Sequence, residues 1–339
     1  MSGGVDSSLT AALLVEQGYD VTGVYMKNWS QDLPGMRCPW ADDLADAKRV
    51  AVQLGIDFKV FDFEKEYKQR VVDYMIDEYK AGRTPNPDIM CNEEVKFRLF
   101  LDTALGEGAD MIATGHYARV EDGALKLAKD EIKDQTYFLY RVTKQALEKT
   151  LFPLGNYAKS EVREMARSRN LYTAAKRDSQ GICFVGQIGI REFLSQYVTT
   201  KPGDIIDTQS GKVLGRHDGA IFYTLGQRHG LDVGGGLPYY VVSKDMDKNE
   251  VYVSTNLNDP HMWRKELTLG SLHWIDAQPQ VGDYKMRLRH RAPLVNVHLK
   301  YEESGVRLYL DDPQRAAAAG QSAVIYDGDV CVGGGIIFA

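Results

Sequence analysis

The run Ser2-Gly3-Gly4-Val5-Asp6-Ser7-Ser8 leads directly into a helix-forming stretch. Two adjacent glycines let backbone N–H groups approach an anion closely, and the following helix N-terminus adds free donors and a positive dipole end. Ser2, Ser7 and Ser8 supply hydroxyls, and the Asp6 carboxylate suits a magnesium ion carried on phosphate. A glycine turn with a serine cap would explain Ser-Gly-Gly alone, but the full run points to a phosphate site. It is not a Walker A loop, because Gly-x4-Gly-Lys-Ser/Thr is absent. Cys91 closes Asn86-Pro87-Asp88-Ile89-Met90-Cys91, a loop-to-helix junction where a helix N-terminus would favour the thiolate. Cys183 lies beside Gly181, after the basic pair Lys176-Arg177, which favours a thiolate in the same way. Asp88 reads either as a general acid/base or as a turn and helix-cap residue. Cys331 sits in an alternating strand and reads as core, while Cys38 stays open. With no Cys-x2-Cys or His-x3-His pair, no zinc-type metal site is expected.

These residues need elements to position them. Leu9 to Gln17, Asp42 to Leu54, Lys65 to Ala81 and Glu161 to Asn170 have helical patterning. Val21 to Met26, Phe58 to Phe63 and Met111 to Thr114 read as short buried strands between them. That rhythm predicts an α/β domain, a parallel sheet with helices on both faces. After Lys201-Pro202-Gly203 the period changes to two. Tyr239-Val242 and Glu250-Val253 read as a hairpin, as do Ala323-Tyr326 and Val330-Val332 around Asp327-Gly328. Three domains are expected: an α/β domain over 1–200, a small central β domain over 201–260 and a C-terminal β-barrel domain over 261–339.

The chain has 339 residues, 44% hydrophobic and 26% charged, which excludes a largely disordered protein. No apolar run reaches the roughly 18 residues of a membrane span, and the start has no signal-peptide pattern. Four cysteines are too few for a disulfide scaffold, so a reducing cytoplasm is expected. A net charge of −6 argues against nonspecific nucleic-acid binding, not against local basic patches. Lys159, Arg163, Arg167, Arg169, Lys176 and Arg177 form one such cluster. Arg216, Arg228 and His229 form another, and Arg287, Arg289, His290 and Arg291 a third on an expected strand. Solvated faces explain most such clusters, but three of them also suit a large folded RNA.

The seven-residue loop resembles the PP-loop of ATP pyrophosphatases, which cleave ATP between its α- and β-phosphates. Met26-Lys27-Asn28-Trp29, Gly82-Arg83-Thr84-Pro85-Asn86-Pro87-Asp88, Cys91-Asn92 and Ala113-Thr114-Gly115-His116-Tyr117 narrow the resemblance, with Lys133-Asp134-Gln135, Gly181-Ile182-Cys183-Phe184 and Thr224-Leu225-Gly226-Gln227-Arg228. Together they resemble the bacterial tRNA-specific 2-thiouridylases, which place sulfur on the wobble uridine. The resemblance implies a Rossmann-like first domain, ATP with Mg2+, and tRNA substrates for Lys, Glu and Gln. Replacing the uridine C2 oxygen calls for adenylation of that oxygen, then attack by a persulfide. A second thiolate then frees the sulfur and leaves a disulfide. By resemblance Cys183 carries the persulfide and Cys91 resolves it, so a Cys91–Cys183 disulfide is implied. Met26 and Gly115 match nucleotide-binding positions. Asn86, Pro87, Asp88, His116, Lys133, Asp134, Gln135, Arg289, His290 and Gln321 match tRNA-contacting ones. A persulfide donor such as a cysteine desulfurase or a sulfur-relay protein is implied as a partner, and the chain is expected to be a monomer. Family members carry a hydrophobic strand before the loop, where this sequence has only Met1. The resemblance therefore predicts a loop short of one supporting strand. Two rival readings are an amidotransferase-type synthetase and a nucleotide-gated RNA-binding protein without catalysis; sulfur incorporation separates them.

Overall fold

Gly4 holds an extended backbone as the N-cap of helix α1 (Val5–Glu16), so the helix begins directly on the glycine loop. Asp6 in its first turn meets the positive end of the dipole. The computed structural model describes residues 1–32, 38–177, 189–234, 236–303 and 305–338. Strand β1 (Thr22–Lys27), helix α2 (Trp40–Leu54) and strand β2 (Asp57–Asp62) form a parallel unit, with Thr22 opposite Asp57 and Lys27 opposite Asp62. Helices α3 (64–80) and α4 (87–106) follow. Then come β3 (Ile112–Ala113), a hairpin of β4 (Arg119–Glu121) and β5 (Ala124–Lys126), α5 (Lys144–Glu148), β6 (Thr150–Leu151), α6 (Lys159–Ser168) and α7 (Ile190–Leu194). β3 pairs in parallel with β6. Among the described residues the parallel strands of this half thus stand as two pairs, not one continuous sheet. Val5, Leu9 and Leu13 of α1 pack with Val162 and Ala166 of α6 in a core of their own. Each large side chain so buried stabilises the fold by about 1.5–3 kcal/mol.

The remainder is β structure. A four-stranded sheet contains β7 (Gly203–Asp207), β8 (Val213–His217), β9 (Tyr240–Asp245) and β10 (Glu250–Ser254) in the order β8-β7-β10-β9. The last six strands are β11 (Trp263–Trp274), β12 (Gly282–Arg287), β13 (Val295–Glu302), β14 (Gly305–Arg315), β15 (Ser322–Asp327) and β16 (Val330–Ile337). They run antiparallel in the order β11-β14-β13-β12-β15-β16, and pairing of β11 with β16 closes the barrel. Leu267, Met286, Leu299, Leu308 and Ile325 fill its interior. No helix among the described residues is long and apolar enough to cross a membrane.

The two halves are joined by pairing that sequence patterning gave no sign of. The β4–β5 hairpin of the α/β half extends the barrel sheet, with Lys126 opposite Val330 on β16. Arg119 ion-pairs with Asp329 at 2.9 Å, and the Leu127 N–H donates to the Asp329 carbonyl at 2.9 Å. Deeper in the joint the Asp134 carboxylate, 1% exposed, meets Arg287 of β12 at 2.7 Å. The Tyr137 hydroxyl lies 3.1 Å from the carbonyls of both Leu288 and Ser322.

Candidate functional site

The loop is organised by its own serines. The Ser2 N–H donates to Ser7 Oγ at 3.1 Å, and the Ser7 and Ser8 hydroxyls donate to the Gly4 carbonyl at 3.2 and 2.8 Å. The Ser8 N–H donates to the Gly4 carbonyl at 3.2 Å, and the N–H groups ahead of it have no acceptor within the helix, which leaves donors at the loop for an anion. Two glycines are required by close approach. A Cβ on Gly3, whose φ is +72°, would stand 2.3 Å from the Asp43 carbonyl oxygen. A Cβ on Gly115 would stand 2.9 Å from the Asp6 carbonyl carbon and 3.0 Å from the Ser7 nitrogen. Gly115 therefore forms a second wall of the loop. Met26, half-buried on β1, packs against the main hydrophobic core. Asp6 does not stand alone: the Tyr117 hydroxyl donates to it at 3.0 Å, and Lys159 Nζ reaches its two oxygens at 2.7 and 2.8 Å.

His116 links this cradle to the cysteine-bearing helix. It follows Gly115, bonds through Nδ1 to Thr114 Oγ1 at 2.8 Å, and packs its ring 5.6 Å from Phe97 of α4 and 6.1 Å from Phe152. Burial, with the Lys96 cation nearby, holds its pKa well below the ordinary value, so the imidazole is neutral. On α4, Asn86 is the N-cap: its Oδ1 accepts the N–H groups of Asp88 and Ile89 at 3.1 and 3.3 Å, and Pro87 occupies the first turn. Asp88 is thus released from the capping role that its sequence context allowed. Burial pushes its carboxyl above the usual range, opposed by Lys96, which suits a group that exchanges protons. Cys91 is buried at the point where the helix changes to π winding over Cys91–Phe100, a distortion common at functional sites. Cys183, with its motif Gly181-Ile182-Cys183-Phe184, lies outside the described residues.

The other candidate RNA contacts converge around Tyr137. Its hydroxyl bonds to the carbonyls of Leu288 and Ser322, so it holds the Leu288-Arg289-His290 segment and the Gln321-Ser322 corner together. The Gln321 corner docks directly on the turn before α4. The Thr84 N–H donates to the Ala319 carbonyl at 2.9 Å, and a Cβ on Gly320 would stand 2.8 Å from the Thr84 nitrogen. Arg289 is exposed and anchored by one nitrogen to the Ala316 carbonyl at 2.7 Å. His290 packs 4.7 Å from Phe138, and burial beside Arg291, Arg287 and Lys133 lowers its pKa to about 4. β12 ends at Arg287, so Arg289–Arg291 form a turn where alternation had suggested a strand; Arg291 takes φ +64°. Within Lys133-Asp134-Gln135 the roles divide. The Asp134 carboxylate is buried on Arg287, and the Gln135 side-chain Oε1 accepts the Tyr117 N–H at 2.9 Å. Lys133, beside His290, is the member placed at the basic turn.

The basic cluster of 159–177 does not survive as one surface. Lys159 pairs with Asp6, Arg169 with Glu16, and Lys176 with both Asp43 and Asp46. Arg163 donates to the carbonyls of Ala174 and Lys176. Sequence reading collected these cations without seeing their partners, which come from α1 and α2 far upstream.

A serine-lined glycine loop on a helix N-terminus, walled by a second glycine, fits a nucleotide phosphate. Among the described residues no three His, Cys, Asp or Glu side chains gather as a metal site, so a divalent ion would have to arrive on the phosphates with Asp6 as its protein ligand. Fold and site together define a PP-loop nucleotide-binding enzyme. Family models match in three consecutive segments: a tRNA methyl transferase HUP domain over 1–187, a tRNA methyl transferase PRC-barrel domain over 191–255 and an aminomethyltransferase β-barrel domain over 264–337. A tRNA-specific 2-thiouridylase from Neisseria meningitidis is 49% identical, over 99% of this chain and 94% of that protein. The Bacillus subtilis enzyme of the same name is 46% identical, over 99% and 93%. The chain belongs to the tRNA-specific 2-thiouridylase family and is a sulfurtransferase.

Proposed function

We propose that the protein replaces the C2 oxygen of the wobble uridine of tRNA by sulfur, with ATP as co-substrate. One observation carries the reading: the short segment 114–117 puts Gly115 against the phosphate loop and His116 against α4, so the nucleotide cradle and the Cys91 helix share a wall. In the first step the uridine O2 bonds to the α-phosphorus and pyrophosphate leaves with the electron pair. Persulfide sulfur on Cys183 then attacks C2, and AMP departs with the former O2. The Cys91 thiolate attacks the inner sulfur of Cys183, the S–S bond breaks towards the nucleoside, and a Cys91–Cys183 disulfide remains for an external thiol to reduce. Asp88 exchanges protons at the base. Ser2, Gly3, Gly4, Ser7, Ser8, Met26 and Gly115 hold the nucleotide, with Mg2+ on Asp6. The tRNA rests on Asn86–Asp88, His116, Lys133, Arg289, His290 and Gln321. Substrates are the tRNAs for Lys, Glu and Gln, a cysteine desulfurase or relay protein loads Cys183, and the enzyme acts as a monomer in the cytoplasm. Product analysis tests the reading: AMP and pyrophosphate formed in step with 2-thiouridine are expected, and ADP with phosphate rejects it.

A further inference from the structure

Thr224-Leu225-Gly226-Gln227-Arg228, in the segment that leads into β9, carries part of the family resemblance yet has no part in the steps above. Its own bonds fix it as a turn. The Gln227 Oε1 accepts the Thr224 N–H at 3.0 Å, and its Nε2 donates to the His229 carbonyl at 2.9 Å. The backbone is tied to β9: the Gly226 N–H donates to the Val241 carbonyl at 2.8 Å, and the Val241 N–H to the Gln227 carbonyl at 2.9 Å. From this fixed point two contacts reach other parts of the molecule. The Thr224 and Thr84 hydroxyls hydrogen-bond at 3.1 Å across 140 residues of sequence. Thr84 stands just ahead of Asn86, the cap of the helical turn that carries Asp88 and Cys91. Gly226, at φ +82°, abuts the barrel, where a Cβ on it would stand 2.6 Å from the Ala316 Cβ. Ala316 itself takes φ +56°, held by its N–H on the Met262 carbonyl at 2.7 Å, and its own carbonyl is the acceptor that anchors Arg289 at 2.7 Å. Thr84 also donates its N–H to the Ala319 carbonyl, so the α/β half, the four-stranded sheet and the barrel meet in a closed triangle. One neutral hydroxyl pair adds little net stability to such a joint. What it fixes is distance.

Resting on the tRNA-thiolating reading above, we propose that the 224–227 turn is a positioning element of the reaction, which sets the Asn86–Asp88 turn through Thr224 and the Arg289 phosphate contact through Gly226. The side chain that holds the RNA backbone is then kept at a set distance from the groups that act on the uridine. Catalysis depends on that distance, because a misplacement of about 1 Å costs on the order of a hundredfold in rate. The turn touches no reacting atom and moves no proton. Thr224 acts through Thr84, and Gly226 acts through Ala316.

Two mutant cycles on the full chain test the two arms. Thr224→Val keeps the shape of the side chain and removes the hydroxyl. It should slow single-turnover thiolation at saturating tRNA by about threefold to tenfold, with the tRNA Kd within about twofold of wild type. Thr84→Val should give the same loss, the double variant no more than either single one, and Thr224→Ser should restore the rate. Gly226→Ala, which must displace Ala316, should weaken tRNA binding and lower its log–log salt slope by roughly one unit. In an Arg289→Ala background the same substitution should change neither. A generally weakened fold produces no such non-additivity. Rate losses that multiply in the two threonine variants, a wild-type rate in Thr224→Val, or a Gly226→Ala defect that persists undiminished in Arg289→Ala each overturn the role of the turn. Should Gly226→Ala not fold, the threonine cycle decides alone. Wild-type protein that forms no 2-thiouridine overturns the underlying reading instead.

Discussion

At the scale of single residues, the two thiols and one imidazole make the sharpest expectations. Cys183→Ser has no sulfur to carry, so it should adenylate tRNA and release pyrophosphate without thiolating it. Cys91→Ser should still take a persulfide on Cys183 yet fail to complete a turnover. Mass spectrometry after one wild-type turnover without reductant should show the Cys91–Cys183 disulfide, and wild-type thiolation by both variants would reject the proposed chemistry. His290 tests the electrostatics. Its pKa is lowered to about 4 from an ordinary 6.5, so between those values the unfolded chain binds the extra proton. Stability should therefore be fully present above about 6.5 and decline as pH falls towards 4, and His290→Gln should flatten that decline in urea titrations. Because the imidazole is neutral at pH 7, His290→Gln should leave the salt dependence of tRNA binding unchanged. Arg289→Ala should reduce the log–log slope by roughly one unit.

At the scale of elements, α4 and the loop before β4 do the positioning. Asn86→Ala removes the cap from α4 and should cost about 1 kcal/mol in chemical denaturation. Because Asp88 and Cys91 ride on that first turn, thiolation should fall by more than this stability loss accounts for. Gly115→Ala puts a methyl against the backbone of Asp6 and Ser7, atoms that cannot swing aside. Overpacking of about 1–3 kcal/mol translates into ATP affinity lower by roughly fivefold to a hundredfold, read by calorimetry. Local chemistry of this kind was legible in the sequence, since glycine runs, Asn-Pro-Asp caps and period-two strands act on their own neighbours. The helices around 5–16, 40–54 and 64–80 and the β-rich second half emerged where patterning put them. Long-range partners were not legible. Nothing in Lys159, Arg169 or Lys176 announces Asp6, Glu16 or Asp43, and nothing in Asp134 announces burial against Arg287.

At the scale of the whole molecule, the α/β half and the barrel share one seam. Buried residues of that seam alternate along the chain with those proposed to face RNA: Asp134 beside Lys133, Arg287 before Arg289, Ser322 after Gln321. The buried Asp134–Arg287 pair is poor evidence for stability as such, since burial raises the Asp134 pKa against the donors around it. Removing one partner is another matter. Asp134→Ala strands the Arg287 guanidinium and should destabilise by about 3–5 kcal/mol in denaturant unfolding, whereas a double apolar replacement should recover much of that loss. If the seam also sets the register of the RNA face, the double variant should fold and still bind tRNA more weakly than wild type.

The hairpin that crosses the seam has a consequence for how the chain is made. Arg119 and its partner Asp329 are 210 residues apart, so the β4–β5 hairpin leaves the ribosome long before β16 exists to receive it. Pairing over such a separation is slow, and an unpaired strand edge is exposed while it waits. The nascent α/β half is thus the stage most open to aggregation, and maturation ends only when the last strand arrives. Stalled chains that lack β16 should associate with chaperones through the 119–126 edge, whereas released full-length chains should not, a difference that pulse-labelled crosslinking on ribosomes would read directly.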